Sequence, residues 1–138
     1  MNTILLIDDS RLVRTLMERD LTRAGYRVIT AIDGESGLRL AQQHHPDLVL
    51  LDMLLPKIAG LDVLRALKAD SNTRDISVIV LTRLSKDNAD RLRRSGATAF
   101  FEKSDSSLQS GSNNLIRLIE EVLASPSNPA SAVPAVAK

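Results

Sequence analysis

Residues 48–52 read Leu-Val-Leu-Leu-Asp, four apolar residues of strand character closed by a carboxylate. A strand with one wet face alternates apolar and polar residues. An unbroken apolar run suits a strand whose sheet is covered on both faces, the setting of a parallel sheet. Working outward, similar runs recur at Ile4–Ile7, Tyr26–Ile29, Ile76–Leu81 and Ala99–Phe101. Between them apolar residues fall at helical spacing: Val13, Leu16, Met17, Leu21 and Ala24; Leu38, Leu40 and Ala41; Leu61, Leu64 and Leu67; Ala89 and Leu92. After the last run comes a fifth stripe, Leu115, Leu118, Ile119 and Val122. Five strands alternating with five helices predict an α/β sheet.

The punctuation agrees. Ser10 or Asp9 can cap the first helix and Gly25 ends it; Asp33 can cap the second, which Pro46 stops; Ser85 can cap the fourth, with Gly96 beyond its end. A polar stretch, Ser104–Asn114, reads as a long connection before the fifth helix. From Ser125 the composition turns to Pro, Ser and Ala with few large apolar residues, so residues 1–124 are expected to form one domain and 125–138 a disordered tail.

Composition narrows the function. At 138 residues, 43% apolar, the chain can bury roughly two-thirds of its unfolded surface, so no disulfide or structural metal is needed, and with Cys 0 there is no thiol or CxxC chemistry. Met1–Ile7 is too short for a signal sequence, and no apolar stretch approaches the roughly 20 residues of a membrane span. A cytoplasmic, membrane-free protein is expected. A net charge of +1 and 2% aromatics offer neither the field nor the stacking platforms for direct nucleic-acid binding.

In open parallel sheets ligands bind outside the carboxyl ends of the strands. There the expected strands carry Asp8 and Asp9 (first), Asp52 (third), Thr82 (fourth) and, two residues after the fifth, Lys103. Three converging carboxylates repel one another unless a cation compensates, and their hard oxygens suit Mg²⁺ or Mn²⁺, which keeps room for phosphate oxygens. A hydroxyl at Thr82 and an ammonium at Lys103 would complete an anion clamp.

This constellation resembles the receiver domain of two-component response regulators over about residues 2–124. The matching elements are Asp8-Asp9 in ILLIDDS, Asp52 in LVLLDMLLPKIAG with Pro56 and Gly60, Thr82 in VIVLT, and Lys103 in AFFEK. The resemblance implies a flavodoxin-like, doubly wound (βα)5 fold with a five-stranded parallel sheet in the order 2-1-3-4-5. It implies that Asp52 accepts a phosphoryl group from a sensor histidine kinase or a histidine phosphotransfer protein. Asp8, Asp9, Asp52 and the backbone carbonyl of Leu54 would hold Mg²⁺ (or Mn²⁺), Asp8 through water. Thr82 and Phe100 would act as the switch, changing the face of the fourth helix, fifth strand and fifth helix on which a downstream protein docks. Such a domain is a phosphoacceptor and not a turnover enzyme, working as a monomer or weak dimer.

Several positions depart from the family pattern. Arg83 follows Thr82 where a small residue is usual, and Leu54 and Leu84 stand where polar groups often orient attacking water; together they imply restricted access to the phosphoryl group and slow autodephosphorylation. Ser104 replaces the proline that usually follows the lysine after a cis bond. Without proline a cis bond costs roughly 3 kcal/mol, so the Lys103–Ser104 bond is either cis at that cost or relaxed to trans. Two other readings compete. A haloacid-dehalogenase-like phosphohydrolase needs a second carboxylate two residues after its nucleophile, and Leu54 occupies that place. A pseudo-receiver that binds partners without phosphate is disfavoured by the complete acidic, threonine and lysine set. His44-His45 reads as a solvated helix end, because adjacent helical residues do not face each other. Arg83, Arg91, Arg93 and Arg94 read as a solvated face, with an acidic partner on the fourth helix as the alternative.

Overall fold

The computed structural model describes residues 2–53, 55, 58–82, 93–102 and 113–124. In chain order these hold β1 (Thr3–Ile7), α1 (Arg11–Arg23), β2 (Arg27–Ala31), α2 (Gly34–His44), β3 (Leu48–Asp52), α3 (Gly60–Ala69), β4 (Ser77–Thr82), β5 (Ala99–Glu102) and α4 (Asn113–Ala124). The last is the fifth of the expected helices. The expected fourth falls mostly on residues 83–92, outside the described residues, as do the tail from Ser125 and most of the polar stretch before α4.

All strand pairings are parallel, in the order β2-β1-β3-β4-β5. Side chains alternate across this sheet into two cores. Leu5, Ile7, Val49, Leu51, Val78 and Val80 pack with Ala41 of α2 and with Val63, Leu64 and Leu67 of α3. Ile4, Leu6, Leu48, Leu50, Ile79 and Leu81 point the other way, against Val13, Met17 and Leu21 of α1 and Leu115, Ile119 and Val122 of α4. Both faces are therefore dry, which is why β1, β3 and β4 have apolar residues in succession.

Strand limits differ from the expected ones for local reasons. Gly25 adopts φ +100°, and the Tyr26 N–H donates to the Leu21 carbonyl at 3.1 Å, so Tyr26 belongs to the end of α1 and β2 starts one residue later. Thr30 and Ala31 extend β2 by pairing with Leu6 and Ile7, an edge position where a polar residue costs little. Ile76 donates its N–H to Thr73 at 3.0 Å and closes a turn, so β4 begins at Ser77. Caps behave as expected: the Ser10 hydroxyl accepts from Val13 N–H at 3.3 Å and the Asp33 carboxylate from Ser36 N–H at 2.8 Å. His45 ends α2 with φ +46°, and both histidines are exposed.

At the end of the sheet away from the acidic residues, Lys68 ties α3 to the approach of β4. Its ammonium donates to the carbonyls of Arg74 at 3.0 Å and Ile76 at 2.7 Å, while burial pulls its pKa below that of a free lysine. No described helix is long and apolar enough to cross a membrane.

Leu50 is fully buried in the core shared by α1 and α4. Leu50→Ala is expected to destabilise the domain by about 2–5 kcal/mol through lost transfer energy and an unfilled cavity, read as a lowered urea midpoint with an unchanged m-value.

Candidate functional site

The order of strands reverses between β1 and β3, since β2 lies outside β1 while β4 follows β3. Chains leaving these two strands diverge to opposite faces and open a crevice at their carboxyl ends. Asp8 and Asp9 follow β1, and Asp52 ends β3. With Ile7 opposite Leu51 in the register, the three carboxylates arrive side by side. One oxygen from each lies within 4.8 Å of those of the other two.

Burial differs among the three. Asp8 is 0% exposed and Asp52 5%, whereas Asp9 is exposed. With one oxygen of each no more than 4.8 Å apart, Asp8 and Asp52 would repel, if both ionised, by at least about 3 kcal/mol in an effective dielectric of roughly 20. That repulsion favours a cation between them, and an all-oxygen donor set of this hardness fits Mg²⁺ or Mn²⁺.

The backbone around the trio is tightly tied. Asp8 donates its N–H to the Ala31 carbonyl at 3.1 Å, its Oδ1 accepts from Ser10 N–H at 2.9 Å, and its carbonyl accepts from Arg14 Nη1 at 2.9 Å. On the other side of the crevice, Met53 N–H donates to the Leu81 carbonyl at 3.1 Å and Gly60 N–H to the Met53 carbonyl at 3.2 Å. Gly60 opens α3 in direct contact with the acidic strand: a Cβ there would sit 2.5 Å from the Asp52 carbonyl oxygen and 2.6 Å from Met53 Cα. Only glycine permits this approach.

Thr82 closes β4, 5% exposed and one residue beyond Leu81, the partner of Asp52. Phe100 lies half-buried in β5 opposite Val80. The guanidinium of Arg93 stacks over its ring at 4.9 Å from the centroid. Arg93 was expected on a solvated face, with an acidic partner as the alternative; the residue is exposed, and its head group also covers this aromatic. Lys103, Leu54, Arg83, Leu84, Arg91 and Ser104 lie outside the described residues, so the Lys103–Ser104 bond does too.

Sequence reasoning did not single out Arg14. It sits among other arginines of α1 with nothing in its spacing to mark it. The available signal was positional, since an arginine one turn into a helix can reach back to the carbonyls of the loop that precedes it.

A five-stranded parallel sheet in this order, with an acidic trio at its reversal point, defines the receiver class of signalling domain. Residues 4–109 match the response regulator receiver domain family, and the chain belongs to it. It is 35% identical over 102 residues, 73% of this chain and 83% of the relative, to the polar-differentiation response regulator DivK of Brucella ovis. It is 42% identical over 87 residues, 63% of this chain and 37% of the relative, to the transcriptional regulatory protein AfsQ1 of Streptomyces coelicolor. Among solved structures, the chemotaxis response regulator CheY4 of Vibrio cholerae superposes with a TM-score of 0.80 at 26% identity, covering 88% of this chain and 98% of that one. The expected flavodoxin-like fold and strand order are thereby borne out.

Gly60→Ala is expected to destabilise the fold by about 1–3 kcal/mol, because the added methyl group meets backbone that cannot move aside without shifting Asp52. Chemical denaturation compared with a Gly25→Ala variant would separate contact from backbone strain: at Gly25 nothing lies within 4 Å and only the φ of +100° opposes a side chain.

Proposed function

We propose that this chain is a phosphorylatable receiver in which Asp52 takes a phosphoryl group from a phosphohistidine. The observation that supports this most directly is the gathering of one oxygen each from Asp8, Asp9 and Asp52 within 4.8 Å at the sheet's reversal point. In the reaction a carboxylate oxygen of Asp52 attacks phosphorus in line. The new P–O bond makes an acyl phosphate as the P–N bond to the imidazole breaks, and the histidine ring leaves with its electron pair.

Asp8, Asp9, Asp52 and the Leu54 carbonyl would hold Mg²⁺, with Asp8 acting through water. Bound there, the ion would offset the negative charge of the acidic trio and of the incoming phosphoryl oxygens. Lys103 would supply a second positive charge to the phosphoryl oxygens. Thr82, with its hydroxyl at the end of β4, turns toward the new phosphoryl oxygen, and Phe100 turns into the space it leaves. The Arg93 guanidinium over Phe100 opposes that turn, because the ring must give up a cation–π contact to make it. The face around β5 and α4 is thereby offered to a downstream protein partner, the sensor kinase or a phosphotransfer protein having docked at the crevice. On this reading the chain acts in the cytoplasm, as a signalling module and not a turnover enzyme.

Incubation of the full chain with acetyl phosphate and Mg²⁺, followed by intact mass measurement, is expected to add one phosphoryl group to the parent and none to Asp52→Asn. No gain in the parent, with its fold retained, would instead favour an interaction module that works without phosphate.

Slow loss of the acyl phosphate is the second expected outcome, from Arg83 beside Thr82 and the apolar Leu54 and Leu84 two positions beyond Asp52 and Thr82. Quenched samples should retain the phosphoryl group for minutes after the donor is removed; disappearance within seconds would contradict restricted access of water.

A further inference from the structure

The turn that carries Asp8 and Asp9 is closed by a chain of hydrogen bonds that ends on one side chain. Asp8 Oδ1 accepts from Ser10 N–H at 2.9 Å, and the Ser10 hydroxyl accepts from Val13 N–H at 3.3 Å. The Ser10 carbonyl accepts from Arg14 N–H at 3.0 Å. Arg14 then reaches back across the turn, its Nη1 donating to the Asp8 carbonyl at 2.9 Å in a part-buried setting.

We infer that Arg14 is a positioning residue for the divalent cation: by holding the Asp8 carbonyl it fixes the peptide plane that joins the two carboxylates of the first strand end. This inference rests on the metal site proposed above and deepens it. The physical reason lies in the rigidity of the peptide unit. The Asp8 carbonyl and the Asp9 N–H belong to one plane, so the bond to Arg14 sets both ψ of Asp8 and φ of Asp9. The upstream side of Asp8 is already held by its N–H bond to Ala31 at 3.1 Å. Asp8 is buried and held by its surroundings, whereas Asp9 is exposed and depends on its backbone for direction. Without Arg14 the plane can rotate, and Asp9 must be ordered each time a cation binds.

The choice of a carbonyl as acceptor matters. A guanidinium paired to a carboxylate of the trio would compete with the metal for the same oxygens. On a neutral oxygen it orients the ligands and leaves their charge for the cation, as groups around metal ligands commonly do, and removal of such a group typically weakens metal binding 10–100-fold.

The test is calorimetric titration of Mg²⁺ into the full-length parent and its variants, with urea unfolding of each in the absence of Mg²⁺. Arg14→Met keeps the aliphatic stem and removes the donors; its Mg²⁺ dissociation constant is expected to rise at least about tenfold, and Arg14→Lys, which retains a cationic donor, should recover most of the loss. A purely structural role would lower the urea midpoint and leave the affinity of the folded protein unchanged. Should Arg14→Met fail to fold, Arg14→Gln, with a shorter neutral donor, is expected to show the same weakening. A dissociation constant within twofold of the parent's in the Met or Gln variant, or no rescue by Lys, overturns the role of Arg14 alone. A parent that takes up no Mg²⁺ overturns the metal site and this role with it.

Discussion

Because β1 pairs with β3 in the register Ile7↔Leu51, the residues that follow these strands emerge at one level of the sheet and must share one crevice. A slip by a single residue would turn every side chain of the strand to the opposite face, sending the Asp52 side chain to the other side. The register is therefore held by the same apolar residues that fill the two cores. Leu5, Ile7, Val49 and Leu51 face α2 and α3, and Ile4, Leu6, Leu48 and Leu50 face α1 and α4. The strand ends that carry the acidic trio are thus brought together by hydrophobic burial that the fold requires in any case, and the Arg14 contact then orients the turn after β1.

That placement sets favourable and unfavourable terms side by side. Asp8 and Asp52 are carboxylic side chains with almost no exposed surface. Buried carboxylates close together oppose folding unless polar partners compensate. The backbone supplies part of the compensation through the Ser10 N–H bond to Asp8. The approach of Gly60 to the Asp52 carbonyl holds the other side of the crevice rigid. Rigidity here serves chemistry, since ligands fixed before a cation arrives lose little freedom when it binds.

Much of this was legible in the residues, and unevenly so. The apolar runs 4–7, 48–51 and 76–81 mark central strands because both sheet faces are covered, and the acidic residues stand at strand ends because nothing apolar can follow them into a crevice. The limits of β2 were not legible. Tyr26 has strand character but is claimed by the helix-ending turn around Gly25, and Thr30 and Ala31 join the strand through pairing with β1 alone. Arg14 and Arg93 were opaque for a different reason. Long charged side chains look alike on a helical wheel, and whether one meets water, a carbonyl or an aromatic ring depends on tertiary placement. Lys68 is a third case, its ammonium anchored on two carbonyls that its own helix does not contain.

The position of β1 inside the sheet has a consequence during synthesis. Of the strands of this sheet the earliest to leave the ribosome is an interior one, with Leu48–Leu51 emerging long after Ile4–Ile7. Until then one edge of a strand apolar from Ile4 to Ile7 presents unpaired amides and carbonyls, the kind of edge on which nascent chains stick together. Asp8 and Asp9 border that strand, and Asp52 closes the apolar run of its partner β3. Charged residues flanking an unavoidable apolar segment discourage such association. The carboxylates gathered in the finished crevice thus guard the growing polypeptide before the crevice exists.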